Sequence, residues 1–132
     1  MTETLAREWV RKAEEDWEAI RRLRAGGEAD AVADVIGFLA QQTAEKYLKA
    51  CLALSAIDPP AIHDLAALLD AVVECRPELE KLRAAVTSLS PLAVRFRYPG
   101  SWLTDDQADA GVERAGAIRH TIRSEVDMAD CL

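Results

Sequence analysis

The stretch FLAQQTAEKYLKA, residues 38–50, decides the fold class of this chain. It is the centre of a longer pattern, from Asp30 to about Ser55, in which apolar residues recur every three or four positions. That spacing places the apolar residues on one face of a helix. Because this is the most apolar pattern in the chain, it predicts the central helix of the fold.

Helical patterns also flank this central stretch. Residues 5–23 carry apolar side chains spaced by three or four, and Gly26-Gly27 ends that segment. Asp58-Pro59-Pro60 cannot continue a helix, because proline lacks the backbone donor, so a turn falls there. A short third helix then follows over residues 65–72, with Asp64 in its first turn.

The second half of the chain contains two more helical segments. Pro77 opens a fourth segment that is helical to Pro91, after which a kink or a separate turn is expected. Thr104 and Gln107 have the spacing of a capping box, which starts a last helix that reaches about Met128. No strand-period segment competes, so the sequence predicts an all-α antiparallel bundle of four long helices with a short one inserted.

Length and charge bound the possible functions. The chain has 132 residues, which suits one domain over residues 1–132. Its formal net charge is −7 and its sequence pI is about 4.8. A protein that grips nucleic acid over its whole surface needs clustered positive charge, so that class is excluded, although a local basic cleft remains possible.

The cysteines, the histidines and the hydropathy indicate the cellular compartment and whether a cofactor is expected. The three cysteines, Cys51, Cys75 and Cys131, show no close pairing, which is typical of reduced thiols in a cytosolic protein. The two histidines lack the partner spacing of a zinc site, so no metal or other cofactor is expected. No run approaches the roughly 18 apolar residues of a membrane span. We therefore expect a cytoplasmic protein with no membrane contact.

Three segments in this order carry a family resemblance: residues 38–50, then His63-Asp64-Leu65, then Arg97-Tyr98-Pro99 ahead of the terminal helix. The arrangement resembles the HEPN family, the higher eukaryotes and prokaryotes nucleotide-binding domains, from about Leu5 to about Val126. The resemblance implies a small helical bundle that forms a homodimer and works beside a minimal nucleotidyltransferase. Many such pairs are toxin and antitoxin modules.

The resemblance also implies a candidate catalytic pair. Toxin members of the family are metal-independent ribonucleases with an R-x4-6-H motif, whose Arg and His from both subunits meet in a cleft at the dimer interface. Arg114 and His120, with five residues between them, match this spacing. His120 would exchange protons and Arg114 would hold phosphate. The alternative is a pair of solvated surface residues.

The position of this pair departs from the family pattern. In the ribonuclease members the motif lies near the start of the last helix, whereas Arg114 follows Thr104 by some ten residues, and Ala115 replaces the usual polar residue. Six helical steps turn the two side chains about 120° apart. Their convergence needs a second subunit or a break in the helix, for which Gly116 is a candidate.

Four further residues are candidate ligand contacts. Arg95, Arg97 and Tyr98 form a basic and aromatic cluster in which Arg would pair with phosphate and Tyr would stack on a base. The alternative is a fixed turn whose ring plugs the end of the bundle. Lys46 is assigned a phosphate-binding role from the family resemblance, and a solvated helix face is its alternative.

Two polar features near the second helix have structural interpretations. Glu45 and Lys49 are four residues apart in the orientation that favours an ion pair on an exposed helix face. His63 precedes the third helix, where an imidazole capping role is favoured over a catalytic one.

The sequence thus leaves three hypotheses open. In the first, the chain is the toxin-like half of a pair with a nucleotidyltransferase and cleaves RNA through Arg114 and His120. In the second, it is an accessory bundle that docks the transferase and helps present a nucleotide or substrate through Arg95, Arg97 and Tyr98. In the third, it is a structural interaction module that uses only its apolar stripes.

Overall fold

A computed structural model of the chain describes residues 2–26, 32–95 and 99–128, and the side chains of residues 2, 3, 94 and 95 lie outside that description. Within these ranges the chain forms five α-helices and no strand. They are α1 Thr2–Ala25, α2 Ala33–Leu54, α3 Leu65–Cys75, α4 Arg83–Arg95 and α5 Asp105–Glu125, with a short 3₁₀ helix, Pro77–Leu82, ahead of α4. The all-α class and the helical bundle are confirmed.

Helix α2 is the centre of the bundle, as its apolar pattern predicts. It packs against α1, α3, α4 and α5. Alanines on α2 allow these neighbours to approach closely, and its larger apolar side chains fill the space between them. Its fully buried members include Ile36, Ala40, Ala44, Tyr47, Leu48 and Leu52.

Helix α5 is continuous through Gly116, so the break considered there is absent. A side chain at Gly116 would begin 3.1 Å from the Cη2 atom of Trp17 on α1. This glycine therefore gives room for the indole ring that joins the two helices. The helix ends at Glu125, slightly before the predicted Met128.

The start of α3 corrects one prediction. Asp64 is the N-cap residue of α3, since its carboxylate accepts hydrogen bonds from the backbone of Ala66 and Ala67 at 3.0 and 3.2 Å. The capping role expected of His63 is therefore wrong. A carboxylate is the better cap, because it both accepts these hydrogen bonds and complements the positive helix end.

The sequence predicts the start of α5 better than the end of α4. Helix α4 runs through Pro91 to Arg95, so the expected separate turn after Pro91 does not form. The capping box at the start of α5 is confirmed, with Thr104 Oγ1 accepting from Gln107 N at 3.1 Å and Gln107 Oε1 accepting from Thr104 N at 2.9 Å. Of the described helices, none is both long and apolar enough to cross a bilayer.

Candidate functional site

The structure does not bring Arg114 and His120 together within one chain. Both lie on the unbroken helix α5, where six residues separate them by about 120° around the axis and about 9 Å along it. The His120 side chain is exposed, and no side-chain hydrogen bond to its imidazole occurs among the residues described. Its backbone carbonyl accepts from Ser124 Oγ at 2.7 Å.

Arg114 instead borders a groove between α4 and α5. The groove has a volume of about 270 Å³ and is lined by Ser88, Pro91, Leu92, Gln107, Ala110, Gly111 and Arg114. Gly111 lies close to α4, since a Cβ atom there would be 2.7 Å from Leu92 Cδ1. The groove therefore combines an apolar floor with polar groups and one guanidinium at its edge.

The arginines of α5 differ in their partners. Arg119 donates two hydrogen bonds of 2.7 Å to the Glu14 carboxylate on α1, and Arg123 lies 3.1 Å from the same carboxylate. Arg114 forms no ion pair within the described ranges, and its Nη1 donates to its own helix at Ala110 O over 3.3 Å. Most of its donors are thus available to a ligand in the groove.

The Glu14 cluster joins α1, α2 and α5. Tyr47 donates its hydroxyl hydrogen to Glu14 Oε2 at 2.6 Å. Burial and this hydrogen bond raise the pKa of Tyr47 to about 12. Burial acts to raise the pKa of Glu14, but the hydrogen bonds from Arg119 and Tyr47 outweigh it and leave that pKa below its ordinary value. Tyr47 is fully buried, so it cannot serve as an accessible ligand contact.

Lys46 faces α1 rather than open solvent. Its ammonium lies 2.5 Å from Asp16 Oδ2, and the two side chains are 19% and 17% exposed. The solvated-face alternative is therefore wrong. A phosphate bound by Lys46 would have to displace the Asp16 carboxylate.

A second polar cluster lies where α2 meets the turn before α3. The Glu45 side chain is 3% exposed and that of Lys49 is 6% exposed, with 3.4 Å between Oε2 and Nζ, so the expected surface ion pair is buried instead. The Nδ1 atom of His63 lies 3.1 and 3.2 Å from the two carboxylate oxygens of Glu45. Lys49 Nζ also lies 5.2 Å from the centroid of the Trp9 ring.

The predicted loop contacts stay largely undescribed. Arg95 is the last residue of α4, and its side chain lies outside the described part of the chain, as do Arg97 and Tyr98. Trp102 belongs to none of the sequence motifs, and this residue is 76% exposed. Its neighbour Leu103 is held by a 2.6 Å hydrogen bond from its N–H to Asp34.

The described residues contain no group of three or more His, Cys, Asp or Glu side chains arranged to hold a metal ion. Two features of the described structure could bind a ligand or take part in chemistry: the α4–α5 groove and the Glu45–His63 cluster. The first offers a cation to an anionic ligand. The second offers an oriented imidazole.

Comparisons with known proteins identify the family but no individual relative. The family model of the HEPN domain matches residues 6–125. No curated protein and no solved structure matches the chain significantly. The match spans α1 to α5 and includes both polar features. The chain belongs to the HEPN family.

Proposed function

We propose that this protein is the toxin-like or accessory half of a pair with a minimal nucleotidyltransferase, and that it binds RNA or a nucleotide in the α4–α5 groove. The proposal includes a homodimer and a cytoplasmic setting, in which the thiols stay reduced. The observation that carries it is the Arg114 guanidinium, which borders the groove and has no ion-pair partner among the described side chains.

The groove chemistry fits a phosphate-bearing ligand. A guanidinium presents several N–H donors in a planar fork that matches two phosphate oxygens. Pro91, Leu92 and Ala110 give the groove an apolar wall against which a base or sugar can pack. The net charge of −7 restricts phosphate binding to such local positions. Membership of the HEPN family favours a nucleotide or RNA over other anions.

Metal-independent RNA cleavage through Arg114 and His120 is the second candidate. The two residues project in different directions from one helix, so they can meet at a phosphate only if two protomers contribute them. The exposure of His120 leaves it accessible to such a partner. This candidate therefore requires the homodimer.

Equilibrium binding tests the groove directly. Fluorescently labelled single-stranded RNA and a labelled nucleotide would be titrated with the unmutated protein, Arg114→Gln and the matched control Arg11→Gln, which changes an exposed arginine of α1. Loss of a hydrogen-bonded charge predicts about 10- to 100-fold weaker binding for Arg114→Gln. The control should bind as the unmutated protein does, and equal binding by all three would contradict the proposal.

The assembly is tested separately. Light scattering should give the mass of a dimer at micromolar concentration, and a monomer would exclude a composite Arg114 and His120 cleft. Coexpression with a minimal nucleotidyltransferase encoded beside this chain should yield a complex that survives gel filtration. Separate elution of the two proteins would contradict the accessory role.

A further inference from the structure

Two side chains of α5 give the α4–α5 groove its hydrogen-bond donors. Gln107 and Arg114 both line the groove and are seven residues apart. Seven residues make almost two full helical turns, so the two side chains leave the same face of α5 at points roughly 10 Å apart. Ser88, the remaining polar side chain of the lining, donates its hydrogen to Ala84 O at 3.0 Å, so it offers the groove only lone pairs.

The capping box of α5 fixes the orientation of the Gln107 amide. Gln107 Oε1 accepts a hydrogen bond from the backbone N–H of Thr104 at 2.9 Å. A backbone N–H can only donate, so the oxygen and not the nitrogen of the amide faces Thr104. Nε2 forms no hydrogen bond to another described residue, and its two hydrogens are therefore left for a ligand.

The charges along α5 define which end of the groove takes an anion. Asp105 and Asp106 occupy the first turn of the helix, beside Gln107. Their carboxylates disfavour a phosphate there, because like charges repel within the Debye length of about 8 Å at physiological salt. Arg114 supplies a guanidinium at the other end, where it forms no ion pair within the described ranges. A nucleotide therefore has one favoured orientation, with its phosphate at Arg114 and its uncharged base at Gln107.

The middle of the groove suits the part of a nucleotide between phosphate and base edge. Pro91 and Leu92 give it an apolar wall from α4, and Ala110 and Gly111 lie between the two donors on α5. These two α5 residues have at most a methyl group as side chain, so the path between the donors stays open. The separation of the donors along α5 is close to the span of a nucleotide from its phosphate to the far edge of its base.

The four bases differ in what they present to a fixed N–H donor. Guanine has a carbonyl oxygen at position 6 and uracil, like thymine, has one at position 4, whereas adenine and cytosine have an amine at the same positions. A carbonyl oxygen accepts a hydrogen bond from Gln107 Nε2. An exocyclic amine instead sets donor against donor and leaves the Gln107 hydrogens without a partner.

We infer that Gln107 is a specificity-determining residue, which makes the groove prefer nucleotides with a keto base, uracil or guanine, over those with an amino base, cytosine or adenine. The inference rests on the proposed function, which brings a nucleotide to the groove, and it adds which bases are selected. Gln107 is exposed, so one hydrogen bond to its amide gives modest discrimination, about 5- to 10-fold in Kd.

Ligand pairs that differ at one position of the base test the inference. UMP and CMP carry a carbonyl and an amine at position 4, and inosine and adenosine monophosphates differ in the same way at position 6. Nuclear magnetic resonance titration of the isotope-labelled protein measures each Kd, including values in the millimolar range. The keto member of each pair should bind about 5- to 10-fold more tightly. Equal binding within the pairs, or tighter binding of the amino members, overturns the inference.

The variant Gln107→Glu removes the donor and keeps the start of the helix. Glutamate also forms a capping box with threonine, so α5 should begin at the same residue. A carboxylate only accepts hydrogen bonds, so the preference for UMP over CMP should disappear or reverse. The added negative charge weakens both ligands similarly and cancels in the ratio of their Kd values. A preference that Gln107→Glu retains overturns the inference, and circular dichroism checks that the variant keeps its helices.

The matched control is Glu113→Gln. It exchanges the same two side-chain types in the opposite direction, at an exposed position of α5 that does not line the groove. The control changes the charge near Arg114 and therefore shifts the Kd of UMP and of CMP together. Its ratio of the two Kd values should equal that of the unmutated protein. A control that loses the preference as Gln107→Glu does would attribute the effect to charge and overturn the role of the amide.

The outcomes separate this inference from the proposed function. Nucleotides that all bind equally, and that Arg114→Gln weakens equally, overturn the role of Gln107 and leave the proposed function standing. RNA that binds while no mononucleotide does has the same consequence. A protein that binds neither RNA nor any nucleotide overturns the proposed function, and this inference with it.

Discussion

The two histidines of this protein occupy contrasting surroundings. His120 lies on the exposed side of α5, at the spacing from Arg114 that the family motif requires, yet six helical positions turn the two side chains apart. His63 belongs to no such motif, but a 3% exposed carboxylate and a capped helix hold it in place. Sequence spacing and a built side-chain arrangement are therefore independent indicators of chemistry, and here they point to different residues.

The largest expected effect comes from breaking the buried ion pair between Lys49 and Glu45, the residue that contacts His63. Lys49→Met removes the ammonium that balances the buried Glu45 carboxylate, which should cost about 3–5 kcal/mol in the free energy of unfolding. Urea denaturation measures this loss. Arg21→Met is the control, because the pair it breaks with Glu18 is exposed and the urea midpoint should barely move. Equal losses in both variants would contradict the larger contribution of the buried pair to the free energy of unfolding.

A smaller effect on stability is expected at Glu14 of α1, which contacts Arg119, the residue before His120 on α5. The pKa of Glu14 lies below its ordinary value of 4.5, so the unfolded chain binds more protons in acid than the folded one. Its stabilisation is present above pH 4.5 and is lost as the pH falls through the lowered pKa. Glu14→Gln should therefore cost on the order of 1 kcal/mol at neutral pH and much less in acid.

Urea denaturation of the unmutated protein and Glu14→Gln at both pH values measures this difference. Taking the difference between the two proteins cancels the titration of other carboxylates. A gap between their stabilities that is the same in acid as at neutral pH would contradict the assigned role of Glu14.

The next effect is the loss of the helix cap that fixes His63. Asp64→Ala removes the acceptor for two backbone N–H groups, which should cost about 1 kcal/mol in thermal or urea denaturation. Asp64→Asn should restore most of this stability, because asparagine is also a good cap. Failure of asparagine to restore it would mean that the carboxylate acts through something other than the cap.

The smallest effect on stability is expected at His120, the histidine without a fixed position. His120→Gln changes an exposed side chain with no hydrogen-bond partner for its ring in the described part of the molecule. The free energy of unfolding should change by less than about 0.5 kcal/mol. A larger loss would reveal a structural role for His120.

Local sequence signals predict the fold well. The helix around residues 38–50, the absence of helix at 58–60 and the Thr104 capping box each depend on neighbours within a few positions, and the structure confirms them. The turn itself forms slightly earlier, at residues 55–56. Pro91 predicts the end of a helix less well, because α4 continues through it to Arg95. Patterning therefore defines the bundle and most helix boundaries.

The candidate site depends on contacts that spacing does not encode. The pattern of Glu45 and Lys49 predicts an exposed pair, but the packing of Trp9 and His63 from distant parts of the chain buries it. The groove at Arg114 likewise depends on the approach of α4 to Gly111. One signal was present: polar residues recur every four positions along an otherwise apolar helix.

The most direct test of the contrast between the histidines is nuclear magnetic resonance of their ring nitrogens. His120→Gln assigns the two sets of signals. The account predicts that the neutral ring of His63 carries its proton on Nδ1, because the Glu45 carboxylate can only accept a hydrogen bond there. A His63 ring with its proton mainly on Nε2 would contradict the account, and Glu45→Leu should remove the preference for Nδ1.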